Sequence, residues 1–329
     1  MRYLIVFLAS SCVFLSPRVA YPADPPEVAS ANELNVLFIG NSYTARHNLA
    51  EVVQSMTRAG QPGVKMNVKS VIYGGRRLVD HWRLGTQNIV TSSSVTEDEI
   101  RATAKRLEDD FKKDPDDKYA KYAAQRQRKL IGELDESRTT WDVIVLQSYR
   151  DDLDGDHSLY CEYAAKFAEL AKPQGAKVVL YETTPETQNA EPLDAAPDSE
   201  PVMKKAKSIA TLANQIDAAV APMSLVGLKC QTQRPDLTLR FVNDAHLNQT
   251  MAYLSACAIY AAMFDADPRG LDVRSITDIR YWQDKDRTKD RDNLPITKVF
   301  SVQDRSDLQR IAWEGYQEMK QMRARLAED

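Results

Sequence analysis

The 329-residue chain is poor in the residues that staple or metallate small folds, with only 4 Cys and 4 His. Setting aside Cys12, which lies in an N-terminal apolar run, Cys161, Cys230 and Cys257 remain. An odd number permits at most one internal bridge, and all of them sit in apolar surroundings, so the sequence predicts no disulfide framework. No His/Cys pair stands at ligand spacing, so no metal is expected. An excess of charge of one sign is lacking too. Lys plus Arg number 43 against 47 Asp plus Glu, a formal net charge of -4, so nothing draws the chain as a whole toward nucleic acid or an anionic membrane. The apolar run over 3–15 falls short of the roughly 20 residues that a bilayer span takes.

What is there suits a globular domain: hydrophobic residues make up 43% and charged residues 27%. Arg2 ahead of the run over 3–15, with a Pro-rich polar stretch behind it, has the architecture of a signal peptide. The expected organisation is a signal peptide over 1–23, a Pro-rich linker over 24–34 and a domain over 35–329. Such a chain is exported, secreted or periplasmic, and keeps no stable membrane span after processing.

Within the domain, short continuous apolar runs recur at 35–40, 64–73, 141–147 and 177–182, with a weaker one at 218–226. Continuous rather than alternating apolarity marks strands covered on both faces. Helical patterns over 49–59, 159–172 and 202–218 alternate with them, which predicts an α/β fold with a mainly parallel five-stranded sheet and helices on both faces. Residues 86–140 break the rhythm with a charged helical insertion, two helices broken near Pro115, read as a solvated face before a lid. Residues 274–295 read as a charged loop, and 304–326 as a long C-terminal helix that packs back on the sheet.

Two segments carry chemistry. In VLFIGNSYT a buried strand ends at Gly40, Asn41 and Ser42, which places a serine at the carboxyl edge of the sheet, where open α/β folds bind ligands, close to a helix start. This segment is neither a G-x-G-x-x-G nor a G-x-S-x-G motif. Far along the chain, RFVNDAHLNQTMAYLSACAIY sets Asp244 and His246 in a polar turn before an apolar helix. A hydrolytic serine needs a base and a carboxylate that holds the base's tautomer, and here both arrive together. The bland alternatives are Ser42 as a helix cap and His246 in a surface turn. Among other polar residues, His81 could line a pocket or belong to a helix start, Arg76 and Arg77 could meet an anionic substrate, and His47 falls on the outside of a helix. The acidic stretch with Asp151, Asp152, Asp154, Asp156 and His157 lacks the closing Glu of an EF-hand loop.

In order and context these blocks resemble the SGNH hydrolases, also called GDSL-like esterases and lipases. GNSYT is similar to the nucleophile block in its G-N-S variant, YGGRRLVDHW to the second block, WDVIVLQSY to the third and NDAHLNQTMAYL to the last. The resemblance implies a flavodoxin-like three-layer α/β/α sandwich and a serine esterase that needs no cofactor. It implies catalytic Ser42, His246 and Asp244, and an oxyanion hole from the Ser42 and Gly75 N–H groups and the Gln147 side chain. Asn41, Gly74 and His81 would then bind substrate, a small-molecule or carbohydrate ester such as an acetylated sugar. Asp244 stands two residues before His246 where the family commonly spaces three, so Asn243, in the usual place, is the alternative orienter. A catalytically inactive module of the same fold that binds glycan or cell envelope is the rival function.

Overall fold

A computed structural model describes residues 32–149, 158–183, 188–280 and 286–328. The signal peptide and most of the linker expected from the sequence, and the acidic stretch after the third strand, lie outside the described residues.

In chain order the elements are β1 (Asn32–Gly40), α1 (Ser42–Ala45), a short 3-10 turn (Arg46–Asn48), α2 (Leu49–Gly60), β2 (Val64–Ile72), α3 (Leu78–Arg83) and α4 (Gln87–Val90). There follow α5 (Glu97–Lys113), α6 (Lys118–Gly132), α7 (Leu134–Ser137), β3 (Val143–Leu146), α8 (Leu159–Ala171), β4 (Lys177–Glu182) and α9 (Glu200–Gln215). The last third contributes β5 (Ala219–Pro222), α10 (Met223–Gln233), α11 (Gln249–Phe264), β6 (Ser275–Thr277), β7 (Thr297–Val299) and α12 (Val302–Glu328).

The first five strands form one parallel sheet in the order β2-β1-β3-β4-β5. This is the flavodoxin-like order, in which the strand sequence reverses beside β1. The strands alternate between two buried faces, as a period of two residues requires. Val36, Phe38, Val145 and Tyr181 point to the layer of α2, α11 and most of α12, while Leu37, Ile39, Ile144 and Leu180 point to the layer of α8 and α9. Phe38 and Ile39 are fully buried, each stabilising the fold by about 1.5–3 kcal/mol relative to exposure. Helix α11 is buried on every side from Gln249 to Met263, which explains its unbroken apolar sequence.

Three expectations need correction. The apolar run over 218–226 is a strand only as far as Pro222. Proline has no N–H to continue a ladder, and α10 begins at Met223. The segment 274–295 is more than a loop, because β6, near its start, pairs antiparallel with β7, just beyond its end. The insertion is not merely a solvated face: Ile100 and Leu107 of α5 and Ala123 and Leu130 of α6 are buried in the second core cluster. Its first helix starts with a capping box between Thr96 and Glu99, and its outer face carries the charge seen in the sequence.

Candidate active site

Close packing at Gly40 and hydrogen bonds of Gly40 and Asn41 fix the turn after β1. A Cβ on Gly40 would lie 2.3 Å from Thr44 Oγ1 and 2.7 Å from Gln147 Oε1, so only glycine fits there. The Gly40 carbonyl accepts hydrogen bonds from Tyr73 N (3.1 Å) and His81 Nε2 (3.0 Å). Asn41 N donates to Gln147 Oε1 at 2.8 Å, and the Asn41 side chain accepts from Tyr43 N (3.0 Å) while donating to the Arg76 carbonyl (3.1 Å). Ser42 then opens α1, which at 4 residues is a single turn without a meaningful macrodipole.

Two residues expected to bind substrate are therefore engaged elsewhere. His81 is 0% exposed and its second nitrogen, Nδ1, meets Thr86 Oγ1 at 3.1 Å, so it lines no pocket and braces the strand end instead. Burial, the main influence, drives its pKa down to about 3, and the ring is neutral. Asn41 is 0% exposed as well, and its amide ties the serine turn to the Gly74–Arg76 loop rather than reaching outward.

The second segment is set by α11. Asn248 caps that helix, its side chain accepting from Thr250 N (3.0 Å) and Met251 N (3.2 Å). This cap leaves His246 just before the first turn, facing the serine. His246 Nε2 lies 2.9 Å from Ser42 Oγ across a sequence separation of 204 residues, and His246 Nδ1 is hydrogen-bonded to Asp244 Oδ1. Asn243, the alternative orienter, turns away: its N–H and side-chain amide both donate to Asp292 Oδ1. Burial pulls the Asp244 carboxyl upward most strongly, but the His246 hydrogen bond together with Arg46 and Arg291 outweighs it and holds the group below its usual range. Asp244 is thus an ionised acceptor aimed at the imidazole.

The other oxygen of Asp244 is gripped from two sides. Arg46 Nη2 stands 3.0 Å and Arg291 Nε 3.2 Å from Asp244 Oδ2. Next to Arg46, His47 is buried rather than outside the helix, because the chain adopts left-handed φ values of 58° and 49° at His47 and Asn48. His47 Nε2 donates to the carbonyl of Leu247 at 2.9 Å, so the serine segment holds the backbone of the histidine segment directly. Its Nδ1 lies 3.6 Å from Asp278 Oδ1, and Asp278 Oδ2 lies 3.6 Å from Arg291 Nε. Burial lowers the His47 pKa to about 4 and raises that of Asp278. Asp292 accepts from Val242 N and Asn243 N, both at 2.9 Å, and completes the fastening of the base turn. Sequence reasoning missed Arg46, Asp278, Arg291 and Asp292. In the sequence Arg291 and Asp292 end a run rich in acidic and basic residues over 284–292, and Asp278 stands earlier in the same segment, which reads as a charged loop.

On the opposite side, Ser42, Gly74 and Gly75 have backbone N–H groups without a hydrogen-bond partner among the described residues. Gly75 takes φ +65°, the left-handed region that favours glycine. The loop is steadied by Tyr119 of the insertion, whose hydroxyl donates to the Gly74 carbonyl at 2.7 Å and whose ring lies 4.4 Å beneath the Arg76 guanidinium. Gln147 does not supply the expected oxyanion donor. It is 0% exposed, its Oε1 is taken by Asn41 N and Thr44 Oγ1, and its Nε2 donates to the Ser148 carbonyl. The added methylene, relative to asparagine, carries its amide under the serine turn.

Among the described residues, no group of three or more His, Cys, Asp or Glu is arranged to hold a metal ion, and no helix is long and apolar enough to cross a membrane. Cys161, Cys230 and Cys257 are free thiols. A serine hydroxyl, an imidazole and an ionised carboxylate in hydrogen-bonded line, beside unpartnered N–H groups, can move a proton from the hydroxyl while negative charge builds next to it.

No protein-family profile and no curated protein matches the chain. Solved structures with partial likeness include a proposed SGNH hydrolase from Slackia heliotrinireducens, 17% identical over 70% of this chain and 100% of that one, with a TM-score of 0.44. A DUF4886 family protein from Bacteroides uniformis is 16% identical over 86% of this chain and 94% of its own, with a TM-score of 0.42. A variant of an acetyl-xylooligosaccharide esterase from Geobacillus Stearmophilus is 10% identical over 71% and 96%, with a TM-score of 0.40. At such identities and scores the chemistry has to rest on the site's own geometry.

Proposed function

We propose that this chain is a serine hydrolase of the SGNH type that cleaves carboxylic esters, with Ser42 as nucleophile, His246 as general base and Asp244 as its orienting acid. The observation that carries this reading is the 2.9 Å approach of His246 Nε2 to Ser42 Oγ, with His246 Nδ1 bonded to Asp244. The two partners come from segments 204 residues apart in the chain. The flavodoxin-like sheet order supports it by setting β1 beside the point where strand order reverses.

In this mechanism Ser42 Oγ attacks the ester carbonyl carbon as its proton passes to His246 Nε2. The carbonyl π electrons move onto oxygen, and that oxyanion accepts hydrogen bonds from Ser42 N–H and Gly75 N–H, with Gly74 N–H adjacent. Collapse expels the alcohol, which takes the proton back from His246. A water, deprotonated in turn by His246, then releases the acid and restores Ser42. Asp244 stays ionised throughout and stabilises the imidazolium.

An acetyl or similar acyl group on carbohydrate is the substrate class we favour, from the resemblance of the sequence blocks, and export follows from the N-terminal 1–23 segment. The diversion of Gln147 favours a second reading, a binding module of the same fold that has lost turnover. A fluorophosphonate probe separates the two. We expect the unmutated chain to label at Ser42 and Ser42→Ala to remain unlabelled, with hydrolysis of para-nitrophenyl acetate down by about 10⁶-fold in kcat. An unmutated chain that neither labels nor turns over the ester would leave the binding module as the better account.

A further inference from the structure

The charged groups around Asp244 are unusually badly satisfied. Arg46 is 7% exposed, yet its Nε and Nη1 are buried without a hydrogen-bond partner among the described residues, and so are Arg291 Nε and both oxygens of Asp278. Arg291 Nε sits between two carboxylates, 3.2 Å from Asp244 and 3.6 Å from Asp278, at ion-pair distance but without hydrogen-bond direction to either. Buried ion clusters of this kind are poor stabilisers, and apolar residues of similar volume often serve a fold as well or better. Unsatisfied buried polar groups in a native protein ask for a reason other than stability.

The geometry suggests one. Both guanidinium groups meet the same oxygen, Asp244 Oδ2, which leaves Oδ1 for His246 Nδ1, and Arg46 Nη2 also lies 3.4 Å from His246 Nδ1 itself. They arrive from different segments: Arg46 from the turn that follows Ser42, and Arg291 from the stretch between β6 and β7. Arg291 is itself fastened by a bond from Nη2 to the Ile279 carbonyl at 3.1 Å. A carboxylate with one oxygen hydrogen-bonded by Arg46 and drawn by the charge of Arg291 is disfavoured from rotating its other oxygen off the imidazole. We propose that Arg46 and Arg291 are positioning residues that keep His246 turned toward Ser42, Arg291 through Asp244 alone and Arg46 through Asp244 together with its own contact on the imidazole. This inference rests on the hydrolase reading above.

The test uses the full chain with para-nitrophenyl acetate as substrate and a fluorophosphonate to count reactive Ser42. Arg291→Gln and Arg46→Gln should each lower kcat per labelled site by roughly 10²-fold, the scale of a small misplacement of a catalytic group, with KM little changed. In an Asp244→Asn background Arg291→Gln should have almost no further effect, because there is no carboxylate left to aim. Arg291→Lys, which keeps a cation on the same oxygen and is the safer variant for folding, should recover most of the loss. A kcat at the unmutated level in Arg291→Gln would overturn the proposal. So would a loss that is equally large with and without Asp244, since that is the signature of a purely structural arginine. Failure of the unmutated chain to label would instead sink the hydrolase reading, and the positioning role with it.

Discussion

The backbone from Gly40 to the Gly74–Arg76 loop is held by neutral groups, whereas the turn that carries His246 is held by charges. On the first side Gln147, Asn41 and His81 are each 0% exposed, and their hydrogen bonds run to backbone atoms and to the neutral hydroxyls of Thr44 and Thr86. On the second side Asp244, Arg46, Arg291 and Asp278 form an ionic cluster with several polar atoms unpaired. The difference matches where charge would develop during ester cleavage. An oxyanion is best met by fixed neutral dipoles with no carboxylate nearby, while an imidazolium needs an ionised carboxylate next to it.

Replacing the acid attacks this contrast most directly. Asp244→Asn keeps the shape of the base turn but removes its charge and alters the tautomer preference of His246, so kcat toward para-nitrophenyl acetate should fall by about 10⁴-fold. A loss under tenfold would mean that the base side also works as a neutral scaffold, and the contrast would vanish. The next largest effect belongs to the neutral side. In Gln147→Ala the buried Asn41 N–H loses its acceptor, and unfolding by urea should show a destabilisation of about 1–3 kcal/mol. If stability were unchanged and kcat alone fell by about 10²- to 10³-fold, Gln147 would be an oxyanion donor after all.

A third test concerns pH. His81 titrates at about 3 in the folded chain against an ordinary 6.5, through burial. Between those limits the unfolded chain binds more protons at this residue. Its contribution is therefore fully present above pH 6.5 and is lost as pH falls toward 3, by up to about 1.4 kcal/mol per pH unit. His81→Gln, which can still donate to the Gly40 carbonyl, should flatten the fall in urea midpoint over that range. Equal slopes in the two proteins would show that His81 is not held neutral.

The fold was legible because its strands are nearly continuous apolar runs, and the expected segment 177–182 coincides with β4. Ser42, His246 and Asp244 stood out because each lies where a recognisable element starts or stops, and the structure brings them together. What could not be read was direction. Gln147 occupies the expected strand end, but whether an amide points at substrate or under the turn depends on the extra methylene and on the needs of Asn41 N–H. His47 looked external because a straight helix from Ser42 would put it there, and the two left-handed residues break that assumption. Arg291 lies 45 residues or more beyond Asp244 and His246 in sequence, amid other charges, and only the β6–β7 pairing brings its segment back.

The left-handed pair at His47 and Asn48 sets a constraint on length. It reverses the chain so that a single short stretch presents a hydroxyl at one end and grips the opposing turn with Arg46 and His47 at the other. One residue inserted between Ser42 and Arg46 would rotate the grip away from Asp244 and Leu247 while leaving the hydroxyl in place. This stretch therefore tolerates exchange of side chains more readily than any change in the number of its residues.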